Sequence, residues 1–148
     1  MKKHRLDGVL LHFVVLILAA VFAHGQQITV EPEAGKQSVF QRADMEALPH
    51  IKITTTSATY EGVDLKAVLQ KAGVEFGEVL RGKRLANCLV VEAADRYRVV
   101  FALPEIDPAF VEKQVVLAFL KDGKPMDDKE GPFRIVIPGE KRMARWVR

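Results

Sequence analysis

The sequence predicts an α+β domain, a mixed sheet with short helices, spanning residues 26–148 behind a leader of residues 1–25. Three observations carry that expectation. Apolar, β-branched runs recur along the chain, at Gln27–Val30, Ile51–Thr56, Leu85–Ala93, Arg98–Leu103, Gln114–Leu120 and Phe133–Ile137. Only one segment shows a clear helical period. Strands and helices are interspersed without the regular βαβ alternation of a parallel doubly wound sheet.

The elements follow in order. Gln27–Val30 is read as the first strand and Glu31–Phe40 as a polar connection. Arg42–Leu48 is a short helix stopped by Pro49, which lacks the amide a helix interior needs. Ile51–Thr56 is a strand, and Ser57–Tyr60 turns the chain toward a helix opened by Tyr60–Leu65. Asp64 is a good N-cap, and Leu65, Val68, Leu69 and Ala72 fall on one helical face. Gly73 suits the left-handed position after the last turn, with Val74 as the contact beyond it. Glu75–Arg84 is a loop of mixed charge, and Pro104–Glu112 is a short helix or irregular turn. Asp122-Gly123 is a hairpin pair, Met126–Glu130 an acidic loop, and Arg142–Val147 leads into a last strand.

Residues 1–25 have the three parts of a secretory signal peptide. Met1–Arg5 is basic, Val9–Phe22 is apolar apart from His12, and Ala23-His24-Gly25 offers small residues for cleavage after Gly25, or after Ala23. The competing reading is a membrane anchor, which wants a run of roughly 20 apolar residues. Cleavage implies an exported, periplasmic domain with no membrane attachment. It also lowers the formal charge from +3 to about +1, so the basic balance belongs largely to the leader and gives little support to a nucleic-acid role.

Three of the four histidines fall in the leader, leaving His50, and Cys88 is the single cysteine. An internal disulfide is excluded, and one His with one Cys does not complete a zinc site. No Ser-His-Asp or Cys-His arrangement, phosphate loop or dinucleotide glycine pattern occurs. Asp127, Asp128 and Glu130 match no calcium loop and read as solvated. His50 reads as structural, and Asp95–Arg98 as a hairpin cap rather than a pocket mouth.

Five short motifs stand in a fixed order: Tyr60-Glu61-Gly62-Val63-Asp64-Leu65, then Ala72-Gly73; Asp95-Arg96-Tyr97; Leu117-Ala118-Phe119 with Asp122-Gly123-Lys124-Pro125-Met126; Gly131 to Gly139; and Arg145-Trp146. Together they resemble the molybdopterin-binding domain of sulfite-oxidase-type oxidoreductases. The resemblance covers roughly Tyr60 to Val147. It implies that family's fold in shortened form, and molybdopterin-dependent oxidoreductase chemistry as one reading.

The departures point the other way. The resemblance places a molybdenum-binding cysteine upstream of the aromatic-Gly-Val segment, where this chain has Ile53-Thr54-Thr55-Thr56-Ser57. Neutral hydroxyls are poor substitutes for a soft anionic sulfur. The family's Asp-Gly-Tyr turn is Asp95-Arg96-Tyr97 here, with Arg96 in the place of glycine. Loaded members of the family are exported folded, on twin-arginine signals, and this leader has no Arg-Arg pair. The favoured expectation is therefore a non-catalytic binding module holding no cofactor, with molybdopterin as the alternative. Its expected partners are a small anion or a redox partner protein. Arg134 and Arg145 match family positions and are the expected anion-binding residues, with Tyr97 and Trp146 beside them; Cys88 is expected to be inert.

Overall fold

The computed structural model describes the backbone of residues 13–17 and, in full, residues 26–32, 35–127 and 129–148. Two five-stranded sheets form. The first has β1 (Phe13–Ile17), β2 (Gln27–Pro32), β3 (Ser38–Gln41), β6 (Cys88–Glu92) and β7 (Arg98–Ala102) in the order β3-β2-β1-β6-β7. The second has β4 (His50–Thr54), β5 (Thr59–Asp64), β8 (Val116–Lys121) and β10 (Arg134–Val136) in the order β10-β8-β5-β4, with the two-residue β9 (Lys124–Pro125) paired to β8. A single cluster of buried side chains joins both sheets and helix α2 (Leu65–Lys71).

β8 is the axis of the second sheet. Val116, Leu117, Ala118 and Phe119 are buried in succession, as expected of a strand covered on both faces. Asp122 and Gly123 both take positive φ, 50° and 76°, which is how a two-residue hairpin matches the twist of β8 and β9.

Two sequence expectations change in this sheet's neighbourhood. Tyr60–Asp64 does not open the helix; it is the body of β5. The register against β8 shifts between Glu61 and Gly62, and a Cβ on Gly62 would stand 2.1 Å from the Leu117 carbonyl oxygen. The glycine is required by backbone approach at a bulge. Within the connection expected at Glu31–Phe40, β2 reaches Pro32 and Ser38–Phe40 belongs to β3, which pairs antiparallel to β2 and buries Phe40. The alternation of that four-residue strand is too short to stand out in sequence. β4 and β6 are also shorter than expected, since Thr55–Ala58 forms a turn and Gly82–Ala86 a 3₁₀ segment.

Helix α2 follows its sequence signals closely. The Asp64 carboxylate accepts from the Lys66 amide at 2.9 Å, and Leu65, Val68 and Leu69 are fully buried. Its end is a Schellman closure: Gly73 at φ 91° donates to Gln70 and Val74 donates back to Leu69. Helix α1 (Arg42–Glu46) ends two residues earlier than expected and buries Met45.

β1 runs antiparallel to β2 and parallel to β6. It falls inside the segment read as a leader; the rest of that segment, including the basic start and the cleavage region, lies outside the described residues. No helix among the described residues is long and apolar enough to cross a membrane.

Candidate functional site

The C-terminal segment returns to the second sheet beside β10, where the Ile135 amide donates to the Val147 carbonyl at 2.8 Å. Arg142–Val147 is not the expected strand. Met143–Arg145 is a 3₁₀ turn, and its bend delivers Trp146 to the core, 8% exposed. Tyr60 meets the indole edge-on at 5.7 Å between ring centroids, and the Arg134 guanidinium lies 5.7 Å over the same ring. The indole thus contacts both an aromatic ring from β5 and a cation from β10.

The first sheet supplies the opposite wall. The hairpin between β6 and β7 turns through Ala93–Tyr97, with Arg96 donating to the Ala93 carbonyl and the Tyr97 amide to the Asp95 carboxylate. The Tyr97 hydroxyl donates to the Ala144 carbonyl at 2.7 Å, tying this hairpin to the 3₁₀ turn. Between the two lies a cavity of about 230 Å³ lined by Ala93, Asp95, Tyr97, Arg134, Trp146, Val147 and Arg148.

Two donors in its wall lack an acceptor. Arg134 Nε and Trp146 Nε1 are buried without a hydrogen-bond partner. A buried donor left unpaired costs on the order of 1–3 kcal/mol. Arg134 Nη1 is engaged by Glu130 at 3.1 Å, and the same carboxylate takes Lys121 at 2.7 Å. Arg148 donates to the Lys129 carbonyl.

Three of the four expected site residues, Tyr97, Arg134 and Trp146, therefore meet at one cavity. Arg145 does not join them. Its guanidinium bonds Glu140 through Nε and Nη2 and Glu105 through Nη1 at 2.8 Å, and lies 4.7 Å over the Phe101 ring. Burial pulls its pKa down, but the two carboxylates more than offset this and hold it above the ordinary arginine value. An arginine committed to two carboxylates and an aromatic face is a structural clamp. Tyr60, in a motif expected to open a helix, instead lies on β5 and is the indole's aromatic partner.

Away from the cavity, Glu140 Oε2 is also buried without a partner. Asp107, with no exposed surface, accepts from Lys66 Nζ, the Gly77 amide and the Ala109 amide, and these outweigh its burial to hold its pKa below the ordinary value. His50 bonds Glu61 and the Glu46 carbonyl, a structural role as expected. Among the described residues, no group of three or more His, Cys, Asp or Glu side chains is placed to hold a metal ion.

The region expected to carry a metal-binding thiolate closes on itself. Thr55 Oγ1 donates to the Ala58 carbonyl at 2.9 Å and accepts from the Ser57 and Ala58 amides, while Thr54 and Thr59 hydroxyls pair at 3.3 Å. Cys88 belongs to β6 in the other sheet; it is buried, and burial pushes its thiol pKa up. A buried thiol with a raised pKa is a poor metal donor.

Two sheets on a shared core, with Arg134 of β10 and Trp146 meeting the β6–β7 hairpin at one cavity, form an α+β domain. The family model described as the oxidoreductase molybdopterin binding domain matches residues 18–148, and the chain belongs to that family. No curated protein matches the chain.

Proposed function

We propose that this domain is a non-catalytic member of its family that binds a small anion in the Arg134–Trp146 cavity. One observation carries the reading: two buried donors, Arg134 Nε and Trp146 Nε1, lack acceptors on side chains that wall an open cavity. An anion suits that chemistry, since a guanidinium and an indole N–H both donate and neither accepts. The cavity, about 230 Å³, is below the roughly 300–1,000 Å³ of sites that enclose drug-sized ligands.

The residues do not fit molybdenum ligation as the family resemblance describes it. The Thr54–Ser57 hydroxyls are neutral, and three of them are engaged: Thr54 with the Thr59 hydroxyl, and Thr55 with Ser57 and the Ala58 carbonyl. The only thiol is buried in the other sheet. The domain's place is proposed to be the periplasm, supported by the composition of residues 1–25. On that reading cleavage removes β1 and leaves β2 and β6 as new edges of the first sheet.

The test begins with protein expressed with its own leader in a molybdenum-replete host that makes the cofactor. Intact mass of the exported form reports the cut. Elemental analysis and oxidised-pterin fluorescence are expected to show neither molybdenum nor pterin, and calorimetric titration to show binding of small oxyanions. Near-stoichiometric molybdenum and pterin would overturn the reading.

A further inference from the structure

The uncommitted polar groups of the cavity wall are nearly all donors. Arg134 Nε and Trp146 Nε1 are buried without acceptors, and both residues line the cavity. Arg148 lines it too. Its guanidinium donates to the Lys129 carbonyl and, among the described residues, has no carboxylate partner. A guanidinium carries several N–H groups, so that one bond leaves donors to spare. The Tyr97 hydroxyl has given its proton to the Ala144 carbonyl. The amides and carbonyls of Ala93 and Val147 are paired within the backbone.

Asp95 is the exception. Among the lining residues it has the one acidic side chain. Its Oδ1 accepts from the Tyr97 amide at 3.0 Å, which holds the carboxylate in the hairpin turn. Among the described residues its Oδ2 has no hydrogen-bond partner. A carboxylate in such a wall repels a bare anion and has no proton to give it. An oxyanion that still carries a proton meets it differently. The ligand's O–H donates to the carboxylate while its other oxygens accept from the arginines and the indole. Arg148 brings a second positive charge to the wall, so Asp95 does not cancel the attraction that Arg134 supplies.

Resting on the anion-binding reading above, we infer that Asp95 is a specificity-determining residue and that the ligand is an oxyanion bearing an O–H, the class of hydrogen phosphate. Arg134, Trp146 and Arg148 take its bare oxygens, and Asp95 takes the one that carries the proton. Sulfate has nearly the same size and shape but is fully ionised at neutral pH, so against it Asp95 is an unmatched, like-charged acceptor. A site that accepts from a ligand's O–H rejects the analogue lacking it, because the site's own polar group is then left unpaired.

Calorimetric titration at neutral pH and fixed ionic strength compares phosphate with sulfate, and arsenate with selenate, for wild type, Asp95→Asn and Arg148→Gln. Melting temperature is measured on the same samples. Wild type should bind the proton-bearing member of each pair at least about fivefold more tightly, the scale of a charge-assisted hydrogen bond discounted for an exposed carboxylate. Asp95→Asn keeps an acceptor for the Tyr97 amide and can also donate, so it should melt close to wild type, bind sulfate more tightly and lose the preference. Arg148→Gln should weaken all four ions by about threefold and keep the preference. Equal binding or a sulfate preference in wild type overturns the inference and leaves the cavity reading standing, and so does a preference that survives Asp95→Asn. Should Asp95→Asn fail to fold, the wild-type ratio decides alone. If wild type binds none of the four ions, the cavity reading fails and takes the inference with it.

Discussion

Arg134 and Arg145 are eleven residues apart, both fall in motifs that resemble one family, and both lie over aromatic rings, yet they are bonded differently. Arg145 spends Nε, Nη1 and Nη2 on Glu140 and Glu105. Arg134 has one carboxylate, shared with Lys121, and keeps a buried Nε without a partner beside a cavity. Being an arginine in a motif does not decide function; the number of carboxylates that reach the guanidinium does. The pair separates into a clamp and, on the function proposed above, a receptor.

The largest effect expected from that separation is on stability. Arg145→Ala leaves Glu140, whose side chain is 12% exposed, with only Lys113 at 3.4 Å, and removes a cation from the Phe101 face. Loss of a partly buried, multiply bonded arginine should cost about 2–3 kcal/mol in urea unfolding. Anion affinity should change by less than about twofold, since Arg145 does not line the cavity. A large loss of affinity with little loss of stability would reverse the assignment.

Arg134→Ala should give the converse. Removing the guanidinium from the cavity wall is expected to weaken anion binding by at least about tenfold, the worth of one charge-assisted contact. Stability should fall by only about 1 kcal/mol, from the contact with Trp146 and the shared Glu130. Arg134→Lys sharpens the point: it keeps the charge but not the fork, so it should recover stability better than affinity.

Trp146→Phe takes away one of the two unpartnered donors and leaves an aromatic body against Tyr60. A weakening of about threefold to tenfold in anion affinity is expected, with Tm lowered by a few degrees, on the scale of about 1 kcal/mol. Unchanged affinity would show that the indole N–H faces no ligand and that the cavity binds through Arg134 alone.

Much of this architecture is legible in the sequence, and the failures have physical causes. Helix α2 is plain because cap, apolar face and left-handed closure are all local signals, and Asp64, Leu65 and Gly73 each do what their chemistry suggests. Tyr60–Asp64 misleads because its glycine answers a carbonyl fifty-five residues away, at Leu117, and no local pattern reports that approach. The gathering of Tyr97, Arg134 and Trp146 follows from ordered motifs. The exclusion of Arg145 depends on Glu105, which arrives from a turn forty residues earlier, so sequence gives both arginines the same weight. Arg96 was visible as a substituted glycine; only its φ of 70° makes the substitution costly.

Cys88 tests the comparison from outside the cavity, and with the smallest effect. If the domain's chemistry rested on a thiolate, replacing this residue would abolish it whatever the arginines do. The structure points elsewhere: Cys88 pairs with Ala102 across β6 and β7, its side chain is buried, and burial raises its thiol pKa, so it stays protonated at neutral pH. Cys88→Ala should cost about 1 kcal/mol of stability, the scale of removing one small buried atom, and leave anion affinity unaltered. Cys88→Ser should leave affinity unaltered as well, at a larger cost in stability, because the hydroxyl wants a partner that the strand interior does not provide. A thiol-specific chromogenic reagent should leave native protein unlabelled and react once on unfolding. Rapid labelling of the native form, or loss of a molybdenum-dependent activity in Cys88→Ser, would return the thiol to the site and make the Arg134 cavity secondary.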